Sequence, residues 1–170
     1  FWIYNTKEEA EAFVNHLRGV VDRFSWKVIL VSEWPAALQE IIEDFQDCFD
    51  RMERYELLFE YAKRMPHPLP NEEWTEENRV KGCQSEAHVE CIIDANTGFH
   101  IRGAADAQLV QGLMAVLAIG VDGLSPNEVA QLTPKFVDEM NVKASLTPSR
   151  ANGFLNLFEI IRSEADKYAN

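Results

Sequence analysis

The residues from Asp106 to Gly120 leave a helix no polar face. Leu109, Val110, Leu113, Met114, Val116, Leu117 and Ile119 fall all round it, and a helix that is apolar on every side has to be buried. No stretch of the chain approaches about 18 consecutive apolar residues, so the burial is inside protein and not in lipid. Other elements must therefore cover this helix. The segment just before it reads as a sheet. Ala87, Val89, Cys91 and Ile93 alternate with His88, Glu90, Ile92 and Asp94, and Phe99 and Ile101 alternate with His100 and Arg102. Asp94-Ala95-Asn96-Thr97-Gly98 between them is turn chemistry. The pattern predicts a β-hairpin over about 86–103 with one buried face, Cys91 on that face and His88 on the exposed one.

Helices account for most of the rest. Thr6-Lys7-Glu8-Glu9 reads as a capping box. Phe13, Val14, Leu17, Val20, Val21 and Phe24 follow at helical spacing, which predicts a helix over about 7–24. Val28-Ile29-Leu30-Val31 reads as an edge strand. Pro35 stands where a helix tolerates proline. Leu38, Ile41, Ile42, Phe45, Phe49 and Met52 mark one apolar stripe after it, continued by Tyr55, Leu58, Phe59 and Ala62. That run, to Met65, is long for one globular helix. Two helices with a break near 47–51 are expected, with Cys48 packed at the junction. Met65-Pro66-His67-Pro68-Leu69-Pro70 is an extended connector, in which His67 reads as an exposed loop histidine. Residues 71–78 read as a turn or one short helix. Ser125-Pro126-Asn127-Glu128 is a second capping box, and Thr133-Pro134 and Thr147-Pro148 open two further helices. The fold class is α+β, a small antiparallel sheet covered by helices. Residues 1–34 read as an N-terminal extension and 35–170 as the main domain. The chain begins at Phe1 rather than Met, which reads as a fragment or a processed product.

Charge and cysteine usage narrow the function. The net charge is −12 and the sequence shows no basic cluster, which argues against a nucleic-acid partner, since phosphate binding needs a basic surface. A protein partner with a basic patch suits such a chain. Cys48, Cys83 and Cys91 are odd in number and widely spaced, unlike a secreted disulfide framework. A reducing compartment fits, with bacterial cytoplasm the default and a plastid or another organelle the alternative.

The chemistry concentrates in Asn78-Arg79-Val80-Lys81-Gly82-Cys83-Gln84-Ser85. Gly82 suits a tight turn that presents the next side chain. Arg79 and Lys81 are cations placed to favour a thiolate, the reactive form of cysteine, and Glu86 opposes them. Cys83 reads either as a reactive nucleophile or as a half-buried loop cysteine.

The same stretch resembles the signature loop of the SufE-type sulfur acceptors, partners of cysteine desulfurases in iron–sulfur cluster assembly. The likeness extends from about Pro35 to the end of the chain. It includes Arg54-Tyr55-Glu56, Ala105-Asp106-Ala107, Gly112-Leu113, Ala115-Val116, Leu146-Thr147-Pro148-Ser149-Arg150 and Gly153-Phe154-Leu155-Asn156. The resemblance implies the layout shared with iron–sulfur assembly scaffolds. It also implies that Cys83 accepts persulfide sulfur, on a loop hinged at Gly82 and supported by Arg79, Gln84, Ser85, Asp106 and Arg150. Such a carrier acts with its desulfurase rather than as a stand-alone enzyme. It needs no metal or organic cofactor of its own, the partner desulfurase using pyridoxal phosphate. The implied partners are a SufS-like cysteine desulfurase and an iron–sulfur scaffold complex, with a homodimer as a further assembly and no membrane. One departure is local: the family commonly has a Val-aromatic pair where this chain has Glu86-Ala87-His88. Two other readings stand beside this one. A metal-binding scaffold needs several cysteines to converge, and His88 and His100 share a strand face without further ligands. A cysteine hydrolase needs a His relay to Cys83.

Overall fold

Residues 33–169 are described in a computed structural model; the expected helix over 7–24 and the run 28–31 lie outside them. Pro35 precedes helix α1 (Ala36–Gln46), which buries Leu38, Ile41, Ile42 and Phe45. The chain then breaks, as its length requires. Asp50 opens helix α2 (Arg51–Lys63) by accepting hydrogen bonds from the Met52 and Glu53 amides at 2.8 and 2.9 Å. Those are donors that the first turn of a helix otherwise leaves without partners. The apolar stripe does not cross the break. Phe49 and Met52 are 93% and 62% exposed, contrary to the sequence reading. The new helix restarts the 3.6-residue period, so its buried positions are Leu58 and Tyr61. Tyr61 ties the two helices together. Its ring stacks on Phe45 at 5.9 Å, and its hydroxyl donates to Asp44 Oδ2 at 2.6 Å. Cys48, expected in the core, is only half-buried in the junction.

The expected hairpin is present as β2 (Ala87–Asp94) and β3 (Gly98–Ala105), paired antiparallel from Ala87↔Ala105 to Asp94↔Gly98. Asp94 Oδ1 accepts from the amides of Asn96 and Thr97 and closes the turn. Two details differ from the sequence reading. The proline connector supplies a third strand, β1 (His67–Pro68), parallel to β3, so the sheet order is β1-β3-β2. Proline is tolerated there because β1 is an edge. His88 is 3% exposed rather than solvated. The segment after Pro70 crosses the outer face of the sheet and lays Trp74 on the His88 ring at 4.7 Å. Asn78 Oδ1 meets His88 Nδ1 at 2.7 Å.

Helix α3 (Gln108–Val121) is the buried apolar helix, and it packs against α1, α2 and the inner face of β3. It starts two residues later than expected, and Asp106 does not cap it. At Gly112 the α2 backbone approaches so closely that a Cβ would run into the Leu58 carbonyl. Helix α4 (Pro126–Gln131) begins with both halves of its capping box, between Ser125 and Glu128. Helix α5 (Lys135–Glu139) and a 3₁₀ turn over Lys143–Ser145 lead to the last helix, α6 (Pro148–Asp166). Trp34, Phe136, Phe154 and Phe158 join α5 and α6 to the core through edge-on ring contacts.

Cys91 on β2 packs against this core, half-buried. Burial pushes its thiol up to about 12, and the nearby Glu164 carboxylate adds to the shift. Two measurements follow from these contacts. Gly112→Ala should lower stability by about 1–3 kcal/mol, since the backbone behind it cannot move aside; the urea midpoint reads this directly. At pH 8, iodoacetamide should label Cys91 far more slowly in the native protein than after unfolding. The native rate should keep rising with pH to about 12, because only the thiolate reacts.

Candidate functional site

Three backbone hydrogen bonds pin the base of the 78–86 loop to the sheet and its exit. The Val80 amide donates to the Ala87 carbonyl at 2.8 Å, that of Val89 to Asn78 at 2.8 Å, and that of Asp106 to Glu86 at 2.9 Å. Between these anchors the chain turns at Gly82, whose φ of +79° lies in the left-handed region that favours glycine. A Cβ at Gly82 would also come within 2.9 Å of Asn156 Nδ2 on α6. The turn sends the Cys83 side chain inward, half-buried, against α6. It meets the helix at Gly153, where a Cβ would stand 3.5 Å from the Cys83 sulfur. Glycine at 153 therefore leaves space beside the sulfur that any other residue would fill.

That space is a cavity of about 20 Å³. Val80, Ala87, Val110, Leu113, Phe154 and Leu157 form its apolar wall, and Gln84, Ser85 and Arg150 its polar part. The volume corresponds to little more than one water-sized sphere, so it accepts an added atom and not a substrate molecule. Arg150 brings a cation to the cavity from the first turn of α6, where helix N–H groups add positive partial charge. The position of α6 depends on the Arg54-Tyr55 pair of α2. The Tyr55 hydroxyl donates to the Ser145 carbonyl and an Arg54 guanidinium nitrogen to Ser145 Oγ at 3.5 Å, just before α6 begins.

The residues singled out by sequence are thus divided. Cys83, Gln84, Ser85 and Arg150 share the cavity and Gly82 makes the turn. Arg79 and Lys81 do not line the cavity. They line an outer groove with Asn156 and Glu159, and Arg79 pairs with Glu76 at 3.1 Å. Arg79 forms an isolated bridge with His88, Val80 is buried and Lys81 lies exposed in the turn, so the apolar side chain faces inward and the cations do not. Asp106 is exposed and reaches the loop only through its backbone amide. His88 is held by Asn78 and Trp74, and among the described residues no histidine lines the cavity. Cys48 and Cys91 lie elsewhere in the fold, and burial raises both of their thiols above the ordinary value. Among the described residues, no group of three metal-ligating side chains includes a cysteine. Sequence reasoning missed the apolar wall, because Val110 and Leu113 read simply as positions of the buried helix and nothing singled out Leu157.

The comparisons with known proteins agree with this layout. The family model described as "SufE: Fe-S metabolism associated domain" matches residues 39–165. An uncharacterized SufE-like protein of Synechocystis is 40% identical over 131 residues, 77% of this chain and 81% of that protein. The "SufE-like protein 1, chloroplastic/mitochondrial" of Arabidopsis thaliana is 34% identical over 135 residues; this is 79% of the chain but only 36% of the longer plant protein. The solution structure of a hypothetical protein from Thermus thermophilus has the same fold, with a TM-score of 0.66 at 24% identity, covering 79% of this chain and 96% of that one. A family match over most of the chain, two relatives above the 30% range and the α+β layout together place this chain in the SufE family of iron–sulfur metabolism.

Proposed function

We propose that Cys83 is a sulfur acceptor that takes the terminal sulfur of a persulfide carried by a cysteine desulfurase and delivers it to iron–sulfur cluster assembly. The observation that carries this reading is the cavity beside the Cys83 sulfur, sized for about one added atom and almost wholly apolar. In the transfer, the Cys83 thiolate attacks the outer sulfur of the donor persulfide. A new S–S bond forms at Cys83, the donor's S–S bond breaks, and its electron pair leaves on the donor cysteine as thiolate. The Cys83 proton goes to solvent, and no net oxidation occurs. This is thiol–disulfide exchange chemistry, governed by thiolate fraction, leaving group and access.

The loop has two tasks in this reading. Held inward, it puts the new outer sulfur among Val110, Leu113, Phe154 and Leu157, away from water and thiols. Turned outward at Gly82, it offers Cys83 to the partner. Arg150 stabilises the anionic outer sulfur. The same chemistry supports the rest of the reading: stimulation of the desulfurase by removal of its persulfide, a SufS-like desulfurase as donor and an iron–sulfur scaffold as receiver. No metal or organic cofactor of the chain's own takes part. The compartment in this reading is the cytoplasm; a plastid or mitochondrial home is the alternative that the plant relative's name keeps open.

Intact-protein mass after incubation with a cysteine desulfurase, pyridoxal phosphate and cysteine tests the proposal. The wild type should gain the mass of one or more sulfur atoms, reversibly with dithiothreitol, and Cys83→Ser should gain none. Equal gain by both proteins would move the acceptor to another cysteine. Gly153→Ala tests the cavity itself. The added methyl sits at ordinary contact distance from the Cys83 sulfur, and alanine is favoured over glycine inside a helix by about 1 kcal/mol. The variant should therefore be as stable as wild type or more so, yet lose its persulfide faster to dithiothreitol. An unchanged persulfide lifetime would show that the outer sulfur does not use this cavity.

A further inference from the structure

On the outer face of the sheet, away from Cys83, three side chains from distant parts of the chain converge. His67 comes from β1, His100 from β3, and Asp122 from the residue that ends α3. One carboxylate oxygen, Asp122 Oδ1, lies 2.7 Å from His100 Nδ1 and 3.2 Å from His67 Nε2. The two imidazole rings meet edge to face with centroids 5.3 Å apart. The three candidate ligand atoms all lie within 4.8 Å of one another.

From this geometry we infer a binding site for a single late first-row divalent metal ion, of which Zn²⁺ is the representative, held by His67 Nε2, His100 Nδ1 and Asp122. The donor set is two imidazoles and a carboxylate, a combination that suits zinc and its neighbours and leaves positions open for water. Bonds of about 2.0–2.2 Å in a tetrahedral arrangement put ligand atoms roughly 3.4 Å apart. The two carboxylate–imidazole separations, 2.7 and 3.2 Å, are both shorter than that spacing, so binding requires the carboxylate oxygen to draw back slightly from the two rings. The supporting shell is also present. His100 Nε2 lies 2.9 Å from Thr97 Oγ1. That partner can hold its N–H and so leave Nδ1 free to ligate, as ligating histidines usually require. All three ligands stand on or beside ordered backbone: β1 and β3 are paired through His67↔Arg102, and α3 is buried up to Val121, the residue before Asp122. The side chains of His67 and Asp122 are 43% and 39% exposed, so an ion enters directly from solvent. When bound, it would clip the edge strand, the central strand and the end of the buried helix together.

The inference does not depend on the sulfur chemistry, and its test separates the two. Zn²⁺ is titrated against a chromophoric chelator with the whole chain carrying Cys83→Ser, which removes the thiol of the proposed sulfur acceptor. One equivalent should bind, and the melting midpoint should rise with Zn²⁺ concentration as mass action requires. His67→Gln and Asp122→Asn, each made in that background, should weaken binding at least about tenfold and abolish the midpoint shift. Both change exposed side chains, and circular dichroism without metal verifies their fold. Co²⁺ in place of zinc should give visible absorption bands that both variants lose. Binding left intact in both variants would assign the metal to other groups and overturn the site. Absence of binding at millimolar Zn²⁺ would leave the three residues a hydrogen-bonded cluster and likewise overturn it.

Discussion

Burial of α3 on every side is the constraint from which the rest of this structure follows. A helix with no polar face gains stability only when other elements remove it from water. Here α1 and α2 cover one side and the sheet another, with α6 closing the region around Val110 and Leu113. The fit is close enough that α2 passes Gly112 backbone to backbone. Close packing of this kind gives the site a rigid floor, because interiors at crystal-like density transmit displacement and do not absorb it.

The 78–86 loop is built on that floor from two directions. Hydrogen bonds from Val80, Val89 and Asp106 fasten its ends to the sheet and to the entry of α3. The Arg54-Tyr55 contacts to Ser145 fix where α6 begins, and hence where Arg150 and Gly153 stand. Two glycines then do opposite things at the junction. Gly82 permits a turn that other residues resist, and Gly153 withholds a side chain beside the Cys83 sulfur. A family block read as sequence identity, Arg54-Tyr55-Glu56, thus acts as a brace for a site in which it takes no direct part.

The electrostatics of the site differ from what proximity in the chain implies. Arg79 and Lys81 are within four residues of Cys83, yet both line the outer groove, and Arg79 pairs with Glu76. The cation that does line the cavity, Arg150, lies far along the chain. His88 illustrates the same point. Its place on the polar side of the alternation was correct, but a polar face is solvated only where nothing crosses it, and Trp74 does.

Local pattern was enough for the elements and for the turn that carries Cys83. Period-two alternation defines the hairpin, capping chemistry starts α2 and α4, and a glycine before Cys83 marks the turn, because each depends on residues a few positions apart. The family blocks identify Arg150 by likeness alone. What the tertiary structure decided is everything that depends on which distant faces meet: the apolar wall of the sulfur cavity, the exposure of Phe49 and Met52, the burial of His88, and the meeting of His67, His100 and Asp122. The last three are separated by 33 and 22 residues in the chain, and no periodicity links a proline connector, a strand and the end of a helix. They are neighbours only because the connector pairs as a parallel edge strand beside β3, and because α3 ends where that edge begins.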